Sequence, residues 1–397
     1  MRARPVWLLL VAALLVVVEA GCRVGGPPPP AAVAFAKVEL RGGAVPVTLS
    51  AAGDALLIGV RRDGQPVVPG LLRRGPGGAI DDLPAQAISP YAQLAVWRSI
   101  ATDGQRIVAI GGERGGAHGH VRWSVWTGSA AGAAGAAGAE AGIGEQVQGF
   151  STFGGYEAGD LVDAVLTPAG PALVGGWASA RVGFDIAVWT TDGQVWTRQS
   201  SAGTALESGP AALMFPMAAT ALGQGILVAG WQLALDAGGR QQPTVWRSAS
   251  GITGWTASAL PEAGQAGAAV AARCWDSGCG VAGRVDGTLA LWRLTGDAWT
   301  RLAGMPRIAV GDQDRLVAPI EHDGRLIQVA LDGNEVKILR ADNGDSANAV
   351  NWTVRTATGP TGTVTAVTAV GDTIYLLAGP DEHTQTLWRA DLAALTS

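Results

Sequence analysis

The residues best equipped for chemistry are four histidines, each set among charged neighbours. His118 and His120 stand one residue apart, just after Glu113 and Arg114. His322 lies between Glu321 and Asp323, and His383 follows Asp381 and Glu382. Imidazole beside carboxylate can bind a metal or pass a proton. Gly-Ala-His118-Gly-His120 offers two ligands, fewer than a closed site needs, so neither a metal nor another cofactor is expected. Two carboxylates facing each other across a cleft can also hydrolyse a glycosidic bond. Tyr156 and Glu157 are sequence neighbours, and neighbours in extended chain point to opposite sides. Cys274 and Cys279 suit a small disulfide loop formed outside the cytoplasm; a metal would want more ligands than this pair supplies.

The elements that must position these groups recur. Tryptophan appears in one local setting roughly every 45 to 65 residues, the mark of a repeat architecture. The copies centre on Trp126, Trp189, Trp246, Trp292 and Trp388, and leucine keeps the frame at Leu72 and Leu339. Hydrophobic runs ending in small residues precede most copies, closing at Gly112, Gly176, Gly230, Gly283 and Gly379. A turn and a second tryptophan follow several, at Trp196, Trp255, Trp299 and Trp352. Strand signals at a fixed period, without helical ones, imply an all-β chain: a β-propeller of four-stranded antiparallel blades. The indoles are expected to wedge between blades, because a single four-stranded sheet cannot bury its own faces.

With strands a to d counted outward from the channel, repeats run from Val45, near Ile100, and from Asp160, Ala218, Ala266 and Ile308. A seventh supplies a, b and c and lacks d. The strand around Val38 is expected to complete it, sealing an edge that would otherwise invite association. Seven blades result, with six or eight as the alternative counts. In such a ring the b–c and d–a connections share one face. All four histidines fall in expected b–c loops, with Glu113, Glu321 and Glu382 beside them, and Arg61, Arg62, Arg181 and Asp185 add to that side. These residues mark a candidate ligand-binding surface over the channel mouth. Solvated hairpin loops would carry polar residues in any case. The stretch Ser129 to Gly142 reads as a low-complexity surface loop, since glycine at every third place undercuts a helix.

Residues 1–21 read as a signal peptide, with Arg2 and Arg4 ahead of an apolar run from Val6 to Val18. Thirteen helical residues span about 20 Å, short of a bilayer core. Residues 22–35 hold Cys22 and a stiff spacer around Pro27 to Pro30, and residues 36–397 form the propeller. The net charge of −5 and 15% charged residues argue against nucleic acid as partner.

Two resemblances follow from quoted residues. Ala20-Gly21-Cys22 resembles the cleavage box of bacterial lipoproteins, although Glu19 occupies a place usually aliphatic in that family. The resemblance implies a lipidated Cys22 on the outer face of a membrane; the alternative is an ordinary signal peptide cut nearby. The turn Thr190-Thr191-Asp192-Gly193-Gln194-Val195-Trp196 resembles a shortened Asp-box of sialidase-like propellers, and the paired glycines with later tryptophans resemble kelch blades. The resemblance implies structural turns on the face opposite a sialidase catalytic site. The arginine-rich opening motif of that family is not evident, and tyrosines are confined to Tyr91, Tyr156 and Tyr375. The reading is a monomeric, surface-anchored, non-catalytic propeller that binds a protein or glycan at the cell envelope. The alternative is a glycan-active hydrolase or lyase working on the b–c face.

Overall fold

Indoles set the spacing of the ring. In the computed structural model, which describes residues 32–64, 68–114, 120–130, 141–149, 151–154, 159–343 and 350–396, Trp126, Trp189, Trp246 and Trp292 are fully buried. Each packs with strands of its own blade and of the blade before it. Leu339 and Leu72 take the same place between blades five and six and between blades seven and one, and Trp388 packs between six and seven. Every one of the seven interfaces therefore has its wedge. A buried indole removes on the order of 150–250 Å² from water, so these contacts carry much of the ring's stability. Trp189 and Trp292 also donate their indole N–H to Thr152 O (2.8 Å) and Pro261 O (2.9 Å).

The strands form seven antiparallel blades. Inner strands are Ala44–Ala52, Val96–Thr102, Gly159–Thr167, Ala212–Leu222, Gly267–Trp275, Ile320–His322 and Thr363–Val370. The last blade is completed by Ala36–Lys37, which pairs antiparallel with Trp388 and Arg389, as the edge argument requires. Val33–Ala34, inside the stretch read as a spacer, adds a parallel strand to Ala357–Thr358 of blade six. Residues 1–31 lie outside the described residues, and with them the signal peptide, Cys22 and the proline run.

A bulge recurs in six of the seven inner strands. The register against the second strand skips Val47, Arg98, Val162, Met217, Val270 and Thr365. A bulge tightens twist and re-aims side chains, here at the rim of a channel. Only blade six lacks one, because its inner strand is three residues long.

Blade six also corrects the repeat boundary. The segment around Ile308 is no inner strand: it bridges to Thr288 and Leu289 of blade five. Pro306 and Pro319 flank the connection and withhold N–H donors, so regular pairing begins only at Ile320. Gln328 compensates from the second strand, its buried amide donating to Val317 O at 3.1 Å. His322 pairs with Arg325 across a tight turn at Asp323 and Gly324, both at positive φ. That turn joins strands a and b. Glu321 and His322 thus sit at the opposite end of the ring from the b–c loops where the repeat frame put them.

Candidate functional site

Inner strands enclose a channel of about 980 Å³ whose wall runs from the face made by the b–c and d–a connections, here called the upper face, to residues beside the a–b turns such as Trp275 and Glu321. Its wall differs around the ring. Blades one, two and three place Thr48, Ser99 and Asp163 just after their bulges, while blades four, five and seven place Ala218, Ala271 and Ala366 there. Ser99 Oγ accepts the N–H of Ala164 in blade three at 3.2 Å. Asp163 repeats the device one blade on, its Oδ2 accepting the N–H of Ala219 at 2.8 Å. On the polar side, side chains thereby lace each blade to the next.

Asp163 lies deep in the ring, with part of its surface reaching the channel. Burial pushes its carboxyl up to about 6, against the N–H of Ala219, the hydroxyl of Ser99 and the charge of Arg98, which favour the anion. Burial likewise raises Asp160 nearer the mouth, opposed by Arg98, the N–H of Leu161, the Trp123 indole and Arg114. Raised carboxyls in a cavity suggest acid catalysis, but Asp163 is already committed to its neighbours.

The structure brings several expected site residues together. Arg61 Nη2 donates to His383 O at 3.2 Å, joining blade one to blade seven, while its Nε pairs with Asp63 at 3.0 Å. Glu382 pairs with Arg315 from the long connection into blade six. Asp381 is held below the usual carboxylate range by the Thr384 hydroxyl and the N–H of His383. Glu113 and Arg114 line the channel beside Arg98 and Asp160. Arg181 pairs with Glu207 at 3.3 Å, and Asp185 accepts from Ser208 N at 2.8 Å, fixing the blade-three loop to the next connection.

Other expected residues stay apart. Glu321 caps its own turn through Gly324 N, and His322 lies 3.6 Å from Asp323, both at the lower end. His120 immediately precedes the third strand of blade two, Val121–Ser129, on the upper side; His118, Tyr156 and Glu157 lie outside the described residues, as does most of the Ser129–Gly142 stretch. Among the described residues no three potential ligands converge on a metal position. Cys274 and Cys279 form a disulfide across the first hairpin of blade five. The turn at Thr190–Trp196 is tied by its aspartate: Asp192 Oδ1 accepts from Gln194 N and Val195 N, each at 2.9 Å.

Sequence reasoning missed the exposed apolar side chains. Of nine large ones among the described residues, Ile88, Tyr91, Leu94, Val182, Phe184 and Leu235 sit on upper connections or at strand ends beside them. Met217 faces the channel. Only Val195 belongs to a lower turn, and Val147 lies on the outer edge. A stacked pair, Phe215 and Trp231 at 3.9 Å, stands near this group in blade four. The signal was faint, since each residue is an isolated apolar letter in a polar loop.

No protein-family model matches the chain, and no curated protein sequence does. Solved structures do. A puromycin-hydrolysing peptidase from Mycobacterium tuberculosis matches at 12% identity and a TM-score of 0.51, over 92% of this chain and 55% of that one. An acylaminoacyl peptidase from Pyrococcus horikoshii matches at 10% identity and a TM-score of 0.51, over 88% and 52%. YCF48 bound to D1 peptide matches at 10% identity and a TM-score of 0.51, over 90% and 96%. The chain thus spans about half the length of the two peptidases and nearly all of YCF48. At these identities the likeness is one of fold.

Proposed function

We propose that this chain is an exported, lipid-anchored propeller that binds a protein partner through its upper face and does no catalysis. The observation that carries this reading is the asymmetry of exposed apolar residues: six of the nine among the described residues lie on upper connections or at strand ends beside them. Aliphatic side chains such as Ile88, Leu94, Val182 and Leu235 suit a protein surface better than a glycan, which stacks on flat aromatics. YCF48, similar in fold and extent and solved bound to D1 peptide, supports a peptide-binding reading. Arg2, Arg4, the apolar run and Cys22 support export and anchoring, and the Cys274–Cys279 disulfide agrees with an oxidising compartment.

A test compares crosslinked partners of the tagged wild type with those of a Val182→Ser, Phe184→Ser, Leu235→Ser variant, quantified by mass spectrometry. Selective loss of a partner from the folded variant supports the reading; identical recoveries would sink it. Anchoring is checked by palmitate labelling, which Cys22→Ser should abolish together with membrane fractionation. The rival, a glycan-active enzyme on the same face, draws on the raised carboxyl of Asp163. Glycan turnover lost in Asp163→Asn would favour it.

A further inference from the structure

Arg273 is a cation without a counter-ion in the channel wall. It lies on the inner strand of blade five, and its Nη2 donates to Val367 O of blade seven at 2.7 Å. That bond passes over blade six, whose inner strand is too short to fill the space. Among the described residues no carboxylate comes within ion-pair distance, and burial alone pulls its pKa down to about 10. Guanidinium has five donors in a rigid fork. One bond to Val367 leaves Nε and Nη1 without a protein acceptor, and Arg273 lines the channel.

The neighbours at the same height are informative. Three places after the bulge, blades one, four and seven present Ser50, Thr220 and Thr368, and blades two and three present Ala101 and Val165. Ile320 holds the matching place in blade six, counted from the turn. All of them line the channel. This layer thus combines one cation, the hydroxyls of Thr220 and Thr368 and apolar side chains, while the Ser50 hydroxyl already donates to Ile100 O, and it contains no acid. The nearest acids along the strands are engaged elsewhere, Asp163 by Ala219 N and Glu321 by Gly324 N.

We infer that Arg273 anchors an oxyanion site within the channel, suited to the carboxylate of a ligand entering from the upper face. A single fork matches a planar monoanion bidentately, and flanking hydroxyls can donate to its oxygens. An unpaired guanidinium held in protein surroundings gains more from such a partner than an exposed one would. The channel is far larger than a carboxylate, so the rest of the ligand lies toward the mouth. The inference goes beyond the partner-binding face and can fail without it, because Phe184 and Leu235 stand at the rim, outside this layer.

The test is titration of the mature domain with acetate, propionate and succinate at constant ionic strength, with chloride and inorganic phosphate as comparison arms. Binding is read by thermal shift and by the arginine side-chain N–H resonances. The expected result is saturable stabilisation by the carboxylates over roughly 1–10 mM, with chloride inert. Arg273→Gln should weaken it at least tenfold, about the value of one charge-assisted bond. Should that variant fail to fold, Thr220→Val, which leaves the bond to Val367 intact, should weaken it about threefold. A response shared equally by chloride, or unchanged in both variants, would overturn the site. Tighter binding of phosphate than of any carboxylate would overturn the ligand class.

Discussion

Blade three and blade six solve one packing problem with different parts. Blade three has a nine-residue inner strand, an indole wedge at Trp189, and a carboxylate, Asp163, that reaches the next blade. Blade six has three inner residues, a leucine wedge at Leu339, and an inner edge patched by Gln328 from its own second strand and by Arg273 from blade five. Where the backbone ladder is complete, side chains add lacing. Where it is interrupted, side chains substitute for the ladder. The ring tolerates the exchange because each blade needs only its two neighbours.

That contrast can be pressed hardest at the wedges. Trp189→Ala removes a buried indole, its bond to Thr152 and edge contacts to Phe153 and Trp177 at 6.2 and 6.1 Å. It should cost about 3–5 kcal/mol in denaturant melts. Leu339→Ala should cost about 2–4 kcal/mol; a larger loss than at Trp189 would mean that blade six depends on its wedge more than blade three does. Replacing Cys274 and Cys279 together by serine releases a short loop beside blade six. A loss of about 2 kcal/mol is expected in the chain-entropy account, measured against the disulfide-bonded wild type.

The smallest effect concerns pH. The carboxyl of Asp163 titrates at about 6 in the folded ring, above its ordinary value of 3.8. The folded state therefore holds this proton more tightly than the unfolded chain does. The resulting stability is fully present below the unfolded value and is lost as pH rises through 6. Asp163→Asn keeps an acceptor for Ala219 N and removes the titration. Relative to wild type it should gain about 1–2 kcal/mol between pH 4.5 and 7.5, the channel's water reducing the full linkage value. A difference that does not change with pH would show that the carboxyl is hydrated as if exposed.

Much of the ring could be read directly from the chain. The tryptophan frame located each wedge, including the two leucine substitutes, because burial between sheets selects large apolar residues at a fixed place. The missing fourth strand of the last blade pointed to its partner near Val38, whose N–H bonds to Leu387 O at 2.8 Å. Blade six was misplaced because Ile308 to Val310 has strand composition yet bridges a neighbouring hairpin, a choice set by tertiary contact. The channel groups were hidden for another reason. A bulge shifts which side chains reach the lumen, and no residue type announces one; Arg98, Asp160, Asp163 and Arg273 look in sequence like ordinary solvated positions on a strand.

The chain's opening segment touches two blades in succession: Val33–Ala34 lies along the outer edge of blade six and Ala36–Lys37 along that of blade seven. Any tension applied to the described chain at residue 32 would meet these four residues first. They hold by a handful of backbone bonds, so the clasp that shuts the circle is also where a tug would first be felt. A ring pulled at that point would yield at its seam while the indole-filled interfaces stayed shut.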